Sequence, residues 1–405
     1  MNALRLARSE INKCSRCGEC LSVCPSYQLT TDEKRVARGR IALAEAVLSR
    51  GLSFTPKLKE SMQSCLKCLR CSWACSSGVD VQTVMTVIRQ RMPRKYGLSL
   101  WNRFVFRFVL TRRKIMDLVV RLACLLQFFL PGRRGMARHI PLLFKGRRRI
   151  PRLASRSALD RFGSGRRPSE HTVYLFVGCM MNYAYPEMIE SAMRVLQSLG
   201  HSVLVPEEQV CCGTPVLSLG DIEQACRLAE LNLRAFPGDL PIIVPCASCG
   251  KTLKDEYPKV LGEKSGQFTA RVFGFSEFVS PRLDRKIIPV HKTAAYHDPC
   301  HLRYGRDISR QPRDLVRRAA RYLPSEGENL CCGMGGLFSV HHYGMASRIA
   351  ERKVEALRGV EADLLVTECP GCILQLRDQL AQRGIDLPVR HVAEVLAEAL
   401  HRSGR

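Results

Sequence analysis

The sequence predicts an α+β protein of several domains. A mostly α-helical N-terminal region (1–97) leads into a basic amphipathic helical segment (98–168), and a duplicated α/β unit (169–275 and 276–405) completes the chain. Three observations predict this. Two runs of four closely spaced cysteines bracket helical stretches such as GRIALAEAVL. Arginines interleave with aromatic and aliphatic residues in the middle segment. From HTVYLFVGC onward, β-like runs alternate with helical ones, and the alternation recurs at an offset of 120 to 123 residues.

The chain of 405 residues is long enough for two or three domains. It opens MNALRLARSEINKC, where no apolar run follows the basic residues; no secretory signal is read, and a reducing cytoplasm is expected. There, 20 clustered cysteines point to metal or redox chemistry in preference to disulfides. The net charge of +26 calls for a polyanionic neighbour: nucleic acid, anionic lipid or an acidic protein face.

In the N-terminal region, Cys14, Cys17, Cys20 and Cys24 form one run, and Cys65, Cys68, Cys71 and Cys75 the other. Both have C-x2-C-x2-C-x3-C spacing, the bacterial-ferredoxin signature of [4Fe–4S] clusters, in which the fourth cysteine of each run serves the other cluster. The expected sets are therefore Cys14, Cys17, Cys20 and Cys75 for one cluster, and Cys65, Cys68, Cys71 and Cys24 for the second. Zinc sites use pairs of C-x2-C, so zinc fits this half poorly. The first run ends in Pro25, whereas Ser76 stands at that place in the second. Lys13, Arg16, Lys67 and Arg70 surround the runs and either tune the clusters or form a solvated surface.

The basic segment contains LSLWNRFVFRFVLTRRKIMDLVVRLACLLQFFLPGRRG. Arg121 and Gln127 interrupt its best apolar run, which excludes a transmembrane helix. An interfacial helix fits, with Trp101, Phe104, Phe108, Phe128 and Phe129 dipping into headgroups and arginines facing phosphate. KGRRRIPR adds further cations. The alternative is an arm packed on a partner or on the chain's own core. Apolar interleaving speaks against nucleic acid.

In the α/β half, TVYLFVGC reads as a buried strand, PEMIESAMRVLQSLG as a helix, HSVLVP as a strand, Asp221–Phe236 as a helix and LPIIVPC as a strand. KTAAYHDPC, NLCCG and ADLLVTECPGC restate the order. Each unit carries five cysteines: Cys179, Cys211, Cys212, Cys246 and Cys249, then Cys300, Cys331, Cys332, Cys369 and Cys372. Several follow a strand's carboxyl end, where open α/β sheets bind ligands. Adjacent α-carbons lie about 3.8 Å apart, too close for an ordinary disulfide, so Cys211 and Cys212 are poor partners for each other. Five thiolates exceed the needs of one zinc, and vicinal sulfurs suit two irons of an opened cluster; zinc at one unit is the alternative. Gly213 and Gly333 allow a sharp turn beside each pair.

The C-x31-CC-x33-C-x2-C and C-x30-CC-x36-C-x2-C patterns, each pair followed by glycine, resemble the tandem CCG domain. That domain occurs in heterodisulfide reductase catalytic subunits and in the iron–sulfur subunits of glycolate oxidase, lactate-utilisation enzymes and anaerobic glycerol-3-phosphate dehydrogenase. With the N-terminal runs, CPSYQL and RGRIALAEAVL, the layout is most similar to the glycolate oxidase iron–sulfur subunit. The resemblance implies two [4Fe–4S] clusters and one or two further CCG-bound clusters. It also implies electron transfer from an FAD-containing dehydrogenase subunit towards quinone or another membrane acceptor, peripheral on the inner face of the cell membrane. Disulfide reduction at a CCG cluster is the alternative it carries.

The remaining motifs are read as structural. His297, Asp298 and His301 around Cys300 read as capping and packing residues at a strand–helix turn, ahead of a proton donor or extra ligand. His341 and His342 read the same way, and Cys124 and Cys226 fall outside every motif. CCGMGGL lacks a nucleotide fingerprint, so flavin is expected on a partner.

Overall fold

The computed structural model describes residues 3–127, 132–133, 136–138, 148–163, 170–284 and 287–403. In the N-terminal region, helices α1 (Ala3–Asn12), α2 (Ala37–Leu48) and α3 (Val81–Tyr96) pack around Ala7, Ile41, Ala44, Met85 and Ile88. Cys14, Cys20, Cys65, Cys71 and Cys75 rest on this core. Asp80 caps α3, its carboxylate accepting from the Thr83 N–H at 3.2 Å. From the same helix the buried Arg89 guanidinium donates to the carbonyls of Met62, Cys65 and Ser218. One cation thereby ties the second cysteine run to the C-terminal half.

The middle segment begins as a short helix, Leu100–Phe104, and continues as a π-helical turn, Val105–Val109. Helix α4 (Arg113–Gln127) follows. Phe128 and Phe129 lie outside the described residues, as do the first three residues of KGRRRIPR.

The C-terminal half contains two parallel four-stranded sheets. The first uses β1 (Thr172–Leu175), β2 (Ser202–Leu204), β3 (Ile242–Val244) and β4 (Val272–Gly274) in the order β2-β1-β3-β4. The second uses β5 (Val290–Tyr296), β6 (Ala320–Tyr322), β7 (Leu364–Thr367) and β8 (Val389–His391) in the order β6-β5-β7-β8. Read from its own first strand, each sheet has the same topology, as the duplication requires. Strands β1, β3 and β7 are buried at every position, the pattern of parallel strands covered on both faces. The repeats share one core, in which Val173, Leu175 and Ile243 of the first join Ala294, Ala295 and Val366 of the second. A valine, leucine or isoleucine side chain contributes roughly 1.5–3 kcal/mol on full burial. Strands β4, β6 and β8 have no counterpart in the sequence reading. Each spans three residues, too few to show a period.

Candidate functional site

The two N-terminal runs fold into matching loops. Arg16 and Gly18 have φ of 59° and 96°, and their counterparts Lys67 and Leu69 have 56° and 65°. Left-handed backbone costs a non-glycine residue roughly 1–2 kcal/mol. Alternating it with ordinary backbone turns successive N–H groups to one side, forming a concavity that accepts negative charge. The Lys67 N–H points to Cys65 Sγ at 3.4 Å. Cys24, Cys65, Cys68 and Cys71 line one small cavity. Cys14, Cys17, Cys20 and Cys75 line another, together with Cys71. The fourth cysteine of each run thus lies with the first three of the other.

In both CCG repeats the switch point of the sheet, between its first and third strands, is flanked by cysteines. Cys179 and Cys246 follow β1 and β3, and Cys300 and Cys369 follow β5 and β7. Gly213 and Gly333 adopt φ of 91° and 82° beside the vicinal pairs, and a Cβ on Gly333 would stand 2.2 Å from the Ala346 carbonyl oxygen. The sites open onto one cavity of about 390 Å³. It is lined by Cys179, Cys212, Cys246 and Cys249 of the first repeat and by Cys300, Cys331, Cys332, Cys369 and Cys372 of the second. Cys68 of the N-terminal region joins them, while Cys211 borders an adjoining pocket with Cys179.

Thiol follows thiol along this cavity and the adjoining pocket. The line runs from Cys179 through Cys211, Cys212, Cys249 and Cys246, crosses to Cys369, and ends at Cys372 and Cys332. Cys332 and Cys372 stand 3.5 Å apart. Crowding splits their acidities. Neighbouring thiols push Cys211, Cys249 and Cys372 well up, while Cys212, Cys332 and Cys369 are drawn well below the usual range by the thiols beside them. Such a set cannot ionise together without a cation to neutralise it. All twenty cysteines are free. This donor set suits iron–sulfur centres, whose ligands are thiolates.

Polar groups close the cavity against the N-terminal region. His301 contacts Ser248 Oγ at 3.1 Å and the Lys67 carbonyl at 3.0 Å, so it joins three parts of the chain. Burial lowers Lys67 to about 8. Against its own burial, Glu256 is held down to about 2 by Lys251, Lys67 and Lys259. Arg70 faces Cys331 and Cys68. Of the cations read around the runs, Lys67 and Arg70 therefore face cysteines, whereas Lys13 and Arg16 pair with Glu10 and Glu45 near the surface. Asp298 has the expected structural role. Its carboxylate accepts from Arg313 at 2.7 and 2.8 Å, and both Arg313 and Arg303 hold it below the usual range despite burial.

His297 departs from the sequence reading. It is buried, yet neither ring nitrogen meets a hydrogen-bonding oxygen or nitrogen, so it caps nothing. One of its nitrogens and the sulfurs of Cys332 and Cys372 lie within 4.8 Å of one another. His341 is exposed and His342 half-buried, and neither borders the cavity. Cys124 and Cys226 are also remote, contacting the Leu153 and Val260 carbonyls.

The middle segment covers the first repeat's site. Phe106 and Val109 are buried, and Phe106 packs with Cys211, Val216 and Leu217. Val109, Leu110, Arg113 and Met116 line the pocket at Cys179 and Cys211. The outer face is apolar and exposed: Leu100, Trp101, Phe104 and Phe108, then Leu118, Leu122, Leu125 and Leu126 along α4. Arg103, Arg107, Arg112, Lys114 and Arg121 are exposed among them. Asp117, the sole acid between 98 and 127, accepts from the Tyr183 hydroxyl at 2.8 Å. Arg148 breaks with the expectation for KGRRRIPR. It is buried and donates to the Ser339 carbonyl, drawn in by an acceptor far away in sequence. No helix among the described residues is long and apolar enough to cross a membrane.

Comparison with known proteins accords with this geometry. A 4Fe-4S dicluster domain matches residues 10–79, and a cysteine-rich CCG domain matches 173–254 and again 294–377. The probable glycolate oxidase iron–sulfur subunit of Bacillus subtilis is 28% identical over 98% of this chain and 95% of its own length. The chain is homologous, along its whole length, to glycolate oxidase iron–sulfur subunits. A dihydromethanophenazine:CoB–CoM heterodisulfide reductase polypeptide of Methanosarcina mazei is 24% identical over 96% of this chain and 94% of its own. A fumarate reductase (CoM/CoB) polypeptide of Methanothermobacter marburgensis is 33% identical over 62% of this chain, which spans only 52% of that relative. Among solved structures, a hypothetical protein from Helicobacter pylori shares the fold, with a TM-score of 0.53 and 10% identity over 97% of this chain and 72% of its own. These relatives include iron–sulfur subunits of multi-subunit oxidoreductases, so partner subunits are implied.

Proposed function

We propose that this chain is an electron-transferring subunit whose FAD-containing partner oxidises a small 2-hydroxy acid such as glycolate or lactate. Electrons leave towards quinone or another membrane acceptor. Residues 1–97 hold two [4Fe–4S] clusters, one on Cys14, Cys17, Cys20 and Cys75, the other on Cys24, Cys65, Cys68 and Cys71. Residues 169–275 and 276–405 each hold a further centre on their five CCG cysteines. Residues 98–168 rest on an anionic membrane at its cytoplasmic face, apolar side chains in the headgroup layer and arginines at phosphate.

The order of the cysteine sites carries this reading. Cys17 is exposed at one end. Cys68 is an electrostatic neighbour of Cys300 and Cys331, Cys369 is a neighbour of Cys246, and Cys179 and Cys211 lie beneath the apolar arm. Four sites in a row, from an open surface to an apolar and basic face, suit a relay. Anaerobic purification under native conditions tests it. The expected sample is brown, contains iron and acid-labile sulfide, brings a flavoprotein with it, and is reduced by 2-hydroxy acid only in that partner's presence. A preparation without a flavoprotein partner overturns the reading.

A second reading is favoured by the shared cavity, where nine CCG cysteines meet. There the chain itself reduces a disulfide. Turnover of disulfide substrates by the isolated chain with an artificial donor distinguishes this enzyme from the relay.

A further inference from the structure

The two CCG repeats place equivalent cysteines at equivalent points, but the residue three positions before the first cysteine differs. In the first repeat it is Phe176, in the second His297. Phe176 is fully buried and packs against Phe236 in the apolar core of that repeat. His297 follows β5 directly, its backbone N–H donating to the Val366 carbonyl at 2.9 Å, which fixes the residue against β7. The next residue, Asp298, is clamped by Arg313 and by its own N–H to the Glu328 carbonyl at 3.0 Å. The backbone that carries the imidazole is therefore held from both sides, and the residue is only 1% exposed.

The buried imidazole meets no oxygen or nitrogen partner, and the group beside it is the Cys332 thiol, a weak hydrogen-bonding partner. Native proteins rarely leave such groups unanswered. The groups that face it are sulfurs. One ring nitrogen, Cys332 Sγ and Cys372 Sγ lie within 4.8 Å of one another, and the two sulfurs are 3.5 Å apart. Two thiolates bound to one tetrahedral ion at about 2.3 Å stand roughly 3.8 Å apart, so this spacing suits a common metal.

We propose that His297 is a nitrogen ligand of the metal centre in the second repeat, making that centre chemically distinct from the all-sulfur site of the first. The inference rests on the reading that the CCG cysteines hold metal. Imidazole is neutral where thiolate is anionic, so a centre that takes His297 in place of one of its five thiolates carries less negative charge, and such a replacement raises the potential of an iron–sulfur centre. The second repeat's centre then sits higher in potential than the first, and the duplicated halves are unequal by ligand as well as by position.

The test uses the full-length protein, purified anaerobically with its partners and labelled with ¹⁵N-histidine. Pulsed paramagnetic resonance is expected to show a strongly coupled histidine nitrogen. His297→Phe, which copies the first repeat, and His297→Gln are expected to lose that coupling and to lower the midpoint potential of one centre. The signals of the N-terminal clusters serve as the control for folding. If the ion is diamagnetic zinc, zinc-edge absorption reads the same ligand as a nitrogen scatterer at about 2.0 Å. Absence of any histidine nitrogen in the wild type, or its persistence in both variants, overturns the proposal. A protein without metal in its second repeat overturns the underlying reading instead, and metal and sulfide analysis separates the two failures.

Discussion

The two CCG repeats share topology, five cysteines and a left-handed glycine, yet their surroundings are opposite. The first repeat's site lies under an apolar arm, with Phe106 against Cys211 and Val109 beside Cys179. The second lies against the N-terminal region, with Cys68 near Cys300 and Arg70 near Cys331. The loops are also held differently. The Val177 N–H in the first donates to Gln209 Oε1 at 2.7 Å, whereas the second uses the charged group of Asp298, Arg313 and Glu328. Duplication supplies two like sulfur sites, and their neighbours set them apart. In the proposed relay the second repeat faces the donor and the first the acceptor.

The most damaging way to break that asymmetry is to cut the second repeat off from its neighbour. Cys68→Ser is expected to remove one [4Fe–4S] cluster, about four irons per chain, and to stop reduction of the CCG centres by the flavoprotein. Iron analysis with stopped-flow spectroscopy checks both. Next in size is the contact between repeats. Cys246→Ser removes the first repeat's thiol that neighbours Cys369 and should disturb the resonance signals of both CCG centres, while Cys300→Ser disturbs only the second. Equal effects from the two substitutions would show that the sites do not communicate through Cys246.

Arg313→Met sharpens the comparison energetically. Asp298, whose side chain is 1% exposed, loses its bidentate partner and keeps only Arg303. Removing one member of a buried pair costs up to about 3–5 kcal/mol, and the retained Arg303 offsets part of that. Thermal unfolding should register that loss, and Asp298→Asn combined with Arg313→Met should recover much of it. The matching change in the first repeat, Gln209→Met, removes neutral hydrogen bonds to the Val177 N–H and to the Leu175 and Pro206 carbonyls, each expected to cost about 0.5–1.5 kcal/mol.

What is legible in the sequence follows the range over which each feature is encoded. Cysteine spacing is local, and both N-terminal runs, both vicinal pairs and the duplication read directly. Helix α5 (Ile222–Ala235) is legible too, because Asp221 announces it by capping the Gln224 N–H. The short strands β4, β6 and β8 are not, whereas β2 and β3, equally short, read from unbroken apolar runs. The meeting of Cys246 with Cys369 is hidden as well, because it depends on how two complete repeats pack. Sequence alone ranks capping ahead of an extra ligand at His297 for the same reason. Its place at a strand–helix turn suggests capping, but the turn is held by Asp298, leaving the imidazole facing sulfurs contributed by two later parts of the chain. Arg148 looks like one more surface cation until folding gives it Ser339.

The smallest expected effect on the fold concerns the arm. Leu122 and Leu126 are 54% and 69% exposed on α4, so replacing both with aspartate should change stability by no more than about 0.5 kcal/mol per site. Binding to vesicles is another matter. Two leucines buried in the interface contribute about 3 kcal/mol or more, which is roughly a hundredfold in affinity. Vesicles rich in anionic lipid should therefore retain the wild type and release the double variant, and rising salt should weaken attachment by screening Arg103, Arg107 and Arg121. Should the variant stay bound while remaining folded, the apolar stripe is covered by something other than lipid. The first repeat's site would then face a protein acceptor, and its contrast with the second would need a different cause.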